Sequence, residues 1–337
     1  RELLSIPADP DNAFMTAQRK IYDHITDRYY SFSAPTSTGK SFIMRIFMKQ
    51  QILEGKKNNF ALIVPTKALI NEVRIKVTED LGTNLKKYGY HIVTAAGDAA
   101  LQVEPKLPEE CRNYILIMTP ERLLYLLINE KKLHIDYLFI DEAHKVSSDD
   151  NRSPFYYQVV QMLAENSPNT HVVFASPNVP NPEIYLKLIG ELDAESLKKQ
   201  HLTTSLSPVT QIKFLIDLES SEVSVYDEHA EEPISITSVA LPDADLTDVL
   251  LRFERDNDGN QTQSIVYFPS TRKTVTAARD FAANRVEQTD NKLLMELSKD
   301  ICNEVHGDYY LAELVKKGVA YHIGYLPSSI RQRIENL

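Results

Sequence analysis

The sequence predicts an α/β fold, a parallel sheet with helices on both faces followed by the first part of a second lobe of the same kind, and three observations carry this expectation. First, six short β-rich runs, "YYSFSAPT", "NFALIVPT", "GYHIVTAAG", "YILIMTP", "YLFIDEAH" and "HVVFASPN", alternate with helical stretches. Their centres are almost continuously apolar, as strands buried on both faces require. Second, from 196 to 263 the pattern changes to antiparallel-type alternation, as in "SLSPVTQIKFLIDL", and ends in the polar "RDNDGNQTQ". Third, strand-then-helix patterning resumes at "SIVYFPSTRKTVTAARDFAAN" and again at "GVAYHIGYLPSSIRQRIENL". The expected organisation is a lead-in over 1–11, a first lobe over 12–195, a connecting segment over 196–263 and the start of a second lobe over 264–337. Ligands of such sheets bind beyond the carboxyl ends of the strands. Each run of the first lobe ends there in small or polar residues.

Composition bounds the function. The chain has 337 residues, 43% hydrophobic and 25% charged, enough for about two domains with their own cores. No apolar run approaches the roughly 20 residues of a membrane span, and no basic-apolar-small leader is present. Cys111 and Cys302 lack metal-ligand spacing, so both are expected as reduced thiols of a cytoplasmic protein. A net charge of −10 excludes a uniformly basic nucleic-acid binder while leaving room for a local groove. The chain begins at Arg1 and ends at "SSIRQRIENL", a helical segment with no stop signal, so it is read as a piece of a longer protein.

Two segments carry chemistry. "SAPTSTGKSFIMRIF" places a relaxed phosphate-binding pattern between the β-rich "YYSFS" and an amphipathic helix. That arrangement aims backbone N–H groups and a helix N-terminus at phosphate oxygens. Thr36, Ser37, Thr38 and Gly39 form the cradle, Lys40 reaches the β- and γ-phosphates of ATP, and Ser41 joins a Mg²⁺ shell. The alternative is a plain strand-to-helix turn. "YLFIDEAH" delivers Asp141 and Glu142 at the end of an apolar run. Asp141 is the expected Mg²⁺ carboxylate and Glu142 the base that polarises water, against the alternative of a solvated acidic turn. His144 has no second His or Cys beside it, so it is assigned to coupling and not to metal binding, with a polar helix start as the alternative.

These residues resemble superfamily 2 helicases, and within them the Ski2-like branch. "APTSTGKS" at 34–41 is similar to motif I, with Ala34 and Ser37 in their branch-typical places, and "DEAH" at 141–144 to motif II. "MTAQRKIYDHI" resembles the glutamine motif, which implies that Gln18 reads the adenine edge. "VPTKALINE" resembles motif Ia, "AGD" at 96–98 the loop after the next strand, and "TPERL" motif Ib. The resemblance implies two RecA-like lobes and backbone contacts to DNA or RNA from Thr66, Lys67, Gly97, Thr119 and Arg122. "SIVYFPSTRKT" is similar to motif IV and adds Ser270, Thr271 and Arg272; helix capping is the alternative for the Ser and Thr residues. "FASPNVPNPE" stands in the place of motif III, keeping Ser176 for coupling while Pro177 and Asn178 depart from the usual S-A-T. In "GVAYHIGYLPSSIRQRIE" His322 is kept and Ile323 replaces a second histidine.

Motif V and the arginine-bearing motif VI do not occur in the 337 residues, so these residues alone are expected to bind ATP weakly and turn it over slowly. The resemblance implies an ATP-dependent helicase or translocase. Its alternative is a nucleic-acid-sensing ATPase that governs an effector subunit, as in anti-phage systems of the Hachiman type.

Overall fold

A computed structural model of the chain describes residues 4–96, 113–147, 152–189, 200–205, 212–217, 219–226, 230, 232–238, 250–251, 258, 262–283 and 285–337. It divides into two units, Arg1–Thr210 and Gln211–Leu337. In the first, a hairpin of Ser5–Ile6 (β1) and Asp9–Ala13 (β2) leads into helix Thr16–His24 (α1). The alternation then runs Tyr29–Ser33 (β3), Lys40–Leu53 (α2), Phe60–Ile63 (β4), Lys67–Leu81 (α3), Asn84–Lys87 (α4), Tyr90–Val93 (β5) and Asn113–Met118 (β6). It continues through Pro120–Asn129 (α5), Tyr137–Ile140 (β7), Ser153–Asn166 (α6), His171–Ser176 (β8) and His201–Thr203 (β9).

Strands β3 to β9 form one seven-stranded sheet in the order β5-β6-β4-β7-β8-β3-β9, and every pairing in it is parallel. The unbroken apolar runs explain this. Along a strand successive side chains face opposite ways, so Phe60, Leu62, Tyr137 and Phe139 enter one core while Ala61, Ile63, Leu138 and Ile140 enter the other. Helices α2 and α3 cover the first face through Ile43, Phe47, Ile70, Val73 and Val77. On the opposite face, α5 and α6 contribute Leu123, Leu127, Tyr156, Val159 and Leu163. Each fully buried large side chain contributes about 1.5–3 kcal/mol, which fixes both layers against the sheet.

Hydrogen bonds at the two edges set the strand ends level. At the amino edge Asn59 accepts from the N–H groups of Asp136 (2.9 Å) and Tyr137 (3.2 Å), and its own N–H donates to Asp136 Oδ2 (2.7 Å). Its side-chain oxygen accepts from Tyr114 N–H (2.7 Å) while its amide donates to the His134 carbonyl (2.9 Å). One residue thus registers β4, β6 and β7. At the carboxyl edge Val64 N–H donates to Met118 O, Asp141 N–H to Ile63 O and Ala34 N–H to Ser176 O, at 3.0–3.1 Å. The loops bearing the motifs therefore leave the sheet along one edge.

Three details differ from the sequence expectation. Strand β9 lies beyond residue 195, in the stretch expected to connect the lobes, yet it pairs with β3 as the sheet's edge. Within the expected lead-in, Ile6 is buried with Phe14 against Ile46 of α2. In the second unit, Lys213–Ile216, Glu222–Tyr226 and Ile234–Ser238 form an antiparallel sheet. Helices Thr271–Ala283, Lys292–Glu304, Leu311–Lys316 and Ser328–Glu335 occur there too, with Leu297, Ile301, Leu311, Val315 and Ile330 in a common core. The stretches 264–268 and 319–323, expected as strands, form no ladder, and Ile265 and Tyr267 are exposed. A strand exists only by pairing, and no described segment pairs with either.

Asn59→Ala removes the side-chain hydrogen bonds to Tyr114 of β6 and to the His134 carbonyl ahead of β7, and leaves Tyr114 N–H without its partner, which costs about 1–3 kcal/mol. Thermal denaturation should show a drop of several degrees; an unchanged midpoint would show that the register is held elsewhere.

Candidate functional site

The loop between β3 and α2 is shaped by one glycine. Ala34 is fully buried, Thr36–Thr38 make a single 3₁₀ turn, and Gly39 has φ 80° and ψ 37°, the left-handed region that side chains other than glycine rarely enter. A Cβ at Gly39 would also stand 3.1 Å from Gln18 Nε2. Gln18 donates to the Thr38 carbonyl (2.9 Å) and accepts from Met15 N–H (2.9 Å), so it braces the loop from behind. The Thr38 hydroxyl is buried without a hydrogen-bond partner among the described residues. An orphaned buried hydroxyl within an anion-type loop fits an oxygen-rich ligand. Ser37 is half-buried and Thr36 exposed.

Lys40 opens α2 at 4% exposure, and its Nζ donates to the carbonyls of Ala34 (3.0 Å) and Pro35 (3.2 Å). Burial pulls its pKa below the usual lysine value, while the charges of Glu142 and Asp141 push back. The next residue reaches across the sheet: Ser41 Oγ donates to Asp141 Oδ2 at 2.8 Å. Asp141 Oδ1 accepts from Glu142 N–H at 3.0 Å. Glu142 has φ 55°, a strained conformation for a side chain of its size. The two adjacent carboxylates consequently part: Asp141 faces the loop, and Glu142 Oε2 lies 3.3 Å from His144 Nδ1 without hydrogen-bond geometry. Mg²⁺ prefers oxygen donors and commonly takes one or two from protein and the rest from phosphates and water. Ser41 and Asp141 fit that requirement, and no cluster of three metal-type side chains occurs among the described residues.

Ser176 closes β8 fully buried, its hydroxyl donating to the Phe32 carbonyl (3.3 Å). Ser33 Oγ accepts from Val179 N–H (2.6 Å), so the segment after β8 is bonded directly to the strand that leads into the loop. Thr66 is exposed and caps α3 by accepting from Leu69 N–H (3.3 Å), with Lys67 exposed beside it. Arg122 is directed at the Thr94 carbonyl (2.8 Å). Thr119, expected as a backbone contact, is 4% exposed, and its hydroxyl is hydrogen-bonded to Glu121. In the second unit Ser270 caps its helix through Lys273 N–H (3.3 Å), and Thr271 and Arg272 are exposed. Gly97 and Cys111 lie outside the described residues; Cys302 is a free thiol.

Sequence reasoning missed the pair Glu121 and Arg152. Arg152 Nε and Nη2 donate to the two carboxylate oxygens of Glu121, the second at 2.8 Å, and Nη1 donates to the Pro65 carbonyl. Burial pushes the Glu121 carboxyl up, but hydrogen bonds from Arg152 and Thr119, its own backbone N–H and the Arg152 charge outweigh it and bring the value down to about 2. A lone arginine in "DDNRSPF" carries no signal for a partner 31 positions away.

A parallel sheet with a glycine-braced loop, a buried lysine at a helix start and a serine bonded to a carboxylate two strands away defines a phosphate-loop nucleotide-binding protein. The sequence model of the family "DEAD/DEAH box helicase" matches residues 15–184, half of the chain, and the chain belongs to that family. It is 22% identical to the Hachiman protein HamB of Bacillus cereus over 97% of this chain and 31% of that protein. It is 26% identical to the ATP-dependent DNA helicase Hel308 of Aeropyrum pernix, over 90% of this chain and 38% of the relative. With the probable ATP-dependent RNA helicase DDX52 of Mus musculus the identity is 28%, over 46% and 27%. The chain spans less than two fifths of the length of each. No helix among the described residues is long and apolar enough to cross a membrane.

Gly39→Ala forces a left-handed alanine, which costs about 1–2 kcal/mol, and crowds Gln18; nucleotide affinity measured by titration should fall at least tenfold, and an unchanged affinity would contradict the loop assignment. Glu121 has a depressed folded-state pKa, so its contribution to stability is complete above the ordinary value of 4.5 and is lost as pH falls toward about 2. Glu121→Gln should melt earlier than wild type at neutral pH, with the gap closing across that window in melting curves.

Proposed function

We propose that the chain is the ATP-hydrolysing part of a superfamily 2 motor of the Ski2-like branch that moves on, and unwinds, DNA or RNA. The hydrogen bond between Ser41 and Asp141, with buried Lys40 beside it, carries the reading. Lys40 now rests on two carbonyls; a triphosphate offers it stronger, charge-assisted acceptors, which draw the ammonium away from Ala34 and Pro35. Ser41 and Asp141 are the residues that would hold Mg²⁺, and the ion when bound neutralises charge on the β- and γ-phosphate oxygens. Glu142, next to Asp141 in sequence, orients the attacking water and takes its proton. Gln18 keeps one amide hydrogen and one lone pair for an adenine edge.

Coupling runs through β3. Ser176 and Val179 bond to its last residues, so a change in the loop is felt directly behind β8. His144 beside Glu142 supplies a second route. On the nucleic-acid side Thr66, Lys67, Gly97 and Arg122 grip the phosphate chain from the first lobe, and Ser270, Thr271 and Arg272 from the second. Backbone contacts of this kind position a strand and carry no sequence code.

A second reading is a nucleic-acid sensor that governs an effector subunit in anti-phage defence, without processive unwinding. The similarity to HamB, which extends over 97% of this chain, favours it.

ATPase assays of the full-length protein with and without single-stranded DNA or RNA test both readings; turnover indifferent to either polymer would overturn them. Strand displacement then separates motor from sensor. Lys40→Ala should lose ATP binding, whereas Glu142→Gln should bind ATP and lose about 10²–10⁴ in turnover; full turnover in the second would reject Glu142 as the base.

A further inference from the structure

We propose that Arg152 is a positioning residue that sets the strand-gripping loops from the hydrolytic side of the site; the proposal rests on the nucleic-acid-dependent ATPase reading above. Its guanidinium holds two segments at once: the carboxylate of Glu121 in the first turn of α5, through two N–H groups, and the carbonyl of Pro65 in the loop between β4 and α3, through a third. Pro65 immediately precedes Thr66 and Lys67, and Glu121 immediately precedes Arg122. The planar fork of arginine fixes direction as well as distance, so the spacing between these two segments is set by one rigid group.

The other end of the connection is the acidic strand end. Lys145 N–H donates to the Glu142 carbonyl (2.9 Å), and Ser153 Oγ donates to the Lys145 carbonyl (3.3 Å), next to Arg152 in sequence. A chain of main-chain and side-chain bonds thus joins Glu142 to both segments without touching the phosphate loop. Pro65, Thr66, Lys145, Arg152 and Tyr156 also line one cavity of about 230 Å³, so the guanidinium, the Lys145 segment and the residue that opens α3 border one space. An ion pair about one-third exposed adds little to stability. Its three-way geometry is what distinguishes Arg152 from an ordinary surface pair.

The test uses the full-length protein with poly(dT) or poly(U), measuring the polymer concentration that half-stimulates ATPase, the KM for ATP and the melting temperature. Arg152→Lys keeps the charge and the fold but loses the fork. It should raise the half-stimulating concentration at least tenfold while leaving the KM for ATP within twofold and melting nearly unchanged. Glu121→Gln should raise the half-stimulating concentration by a similar factor with the KM for ATP again within twofold, and the double variant should raise it no further than either single one, because both remove one contact. An unchanged half-stimulating concentration in Arg152→Lys, or a rise matched by the KM for ATP and by melting, would overturn the proposal. If wild-type ATPase responds to neither polymer, the functional reading itself fails and the proposal falls with it.

Discussion

The hydrogen bond from Ser41 to Asp141 joins two residues 100 positions apart, and most of the architecture serves to make it possible. Ser41 belongs to the first turn of α2 and Asp141 follows β7; between β3 and β7 lies β8 alone. A gap of one strand keeps the two side chains within reach of each other. The level strand ends, the left-handed Gly39 and the Gln18 brace all place Ser41 to within the tolerance of that bond. Loss of any of them would move a helix start relative to a strand end, and a displacement of about 1 Å at such a site is costly.

Electrostatics at this edge are local. The chain carries a net charge of −10, yet near the loop the balance is between one buried lysine and two carboxylates of different orientation. Desolvation disfavours the Lys40 charge and the carboxylates favour it, so the site is poised to exchange neutral carbonyl partners for anionic ones. The loops farther along the edge carry Thr66, Lys67 and Arg122; under the proposed function, groups of this kind would hold a polyanion by its backbone without a broadly basic surface.

What could be seen in the sequence followed from local periodicity. The six apolar runs, the loop and the D-E pair each sit within a few residues, and the structure brings Lys40, Ser41, Asp141 and Glu142 together. Long-range partners could not be seen in this way. Asn59 ties three strands that arrive from three parts of the chain, and Arg152 finds Glu121 only because α5 and α6 pack side by side. Strand β9 was hidden by its length of three residues and its place in a segment of different pattern. The runs at 264–268 and 319–323 have strand composition without a ladder, since composition supplies propensity and only a neighbour supplies hydrogen bonds.

Ser41 and Asp141 are proposed to act as one metal-nucleotide pair. Titration of ATP into wild-type protein and Ser41→Ala, with Mg²⁺ and with EDTA, tests this most directly. Mg²⁺ should tighten binding to wild type by about tenfold, or 1.4 kcal/mol, and should give little or no gain in Ser41→Ala. Equal affinities with Mg²⁺ and EDTA in wild type, or an undiminished gain in the variant, would contradict it.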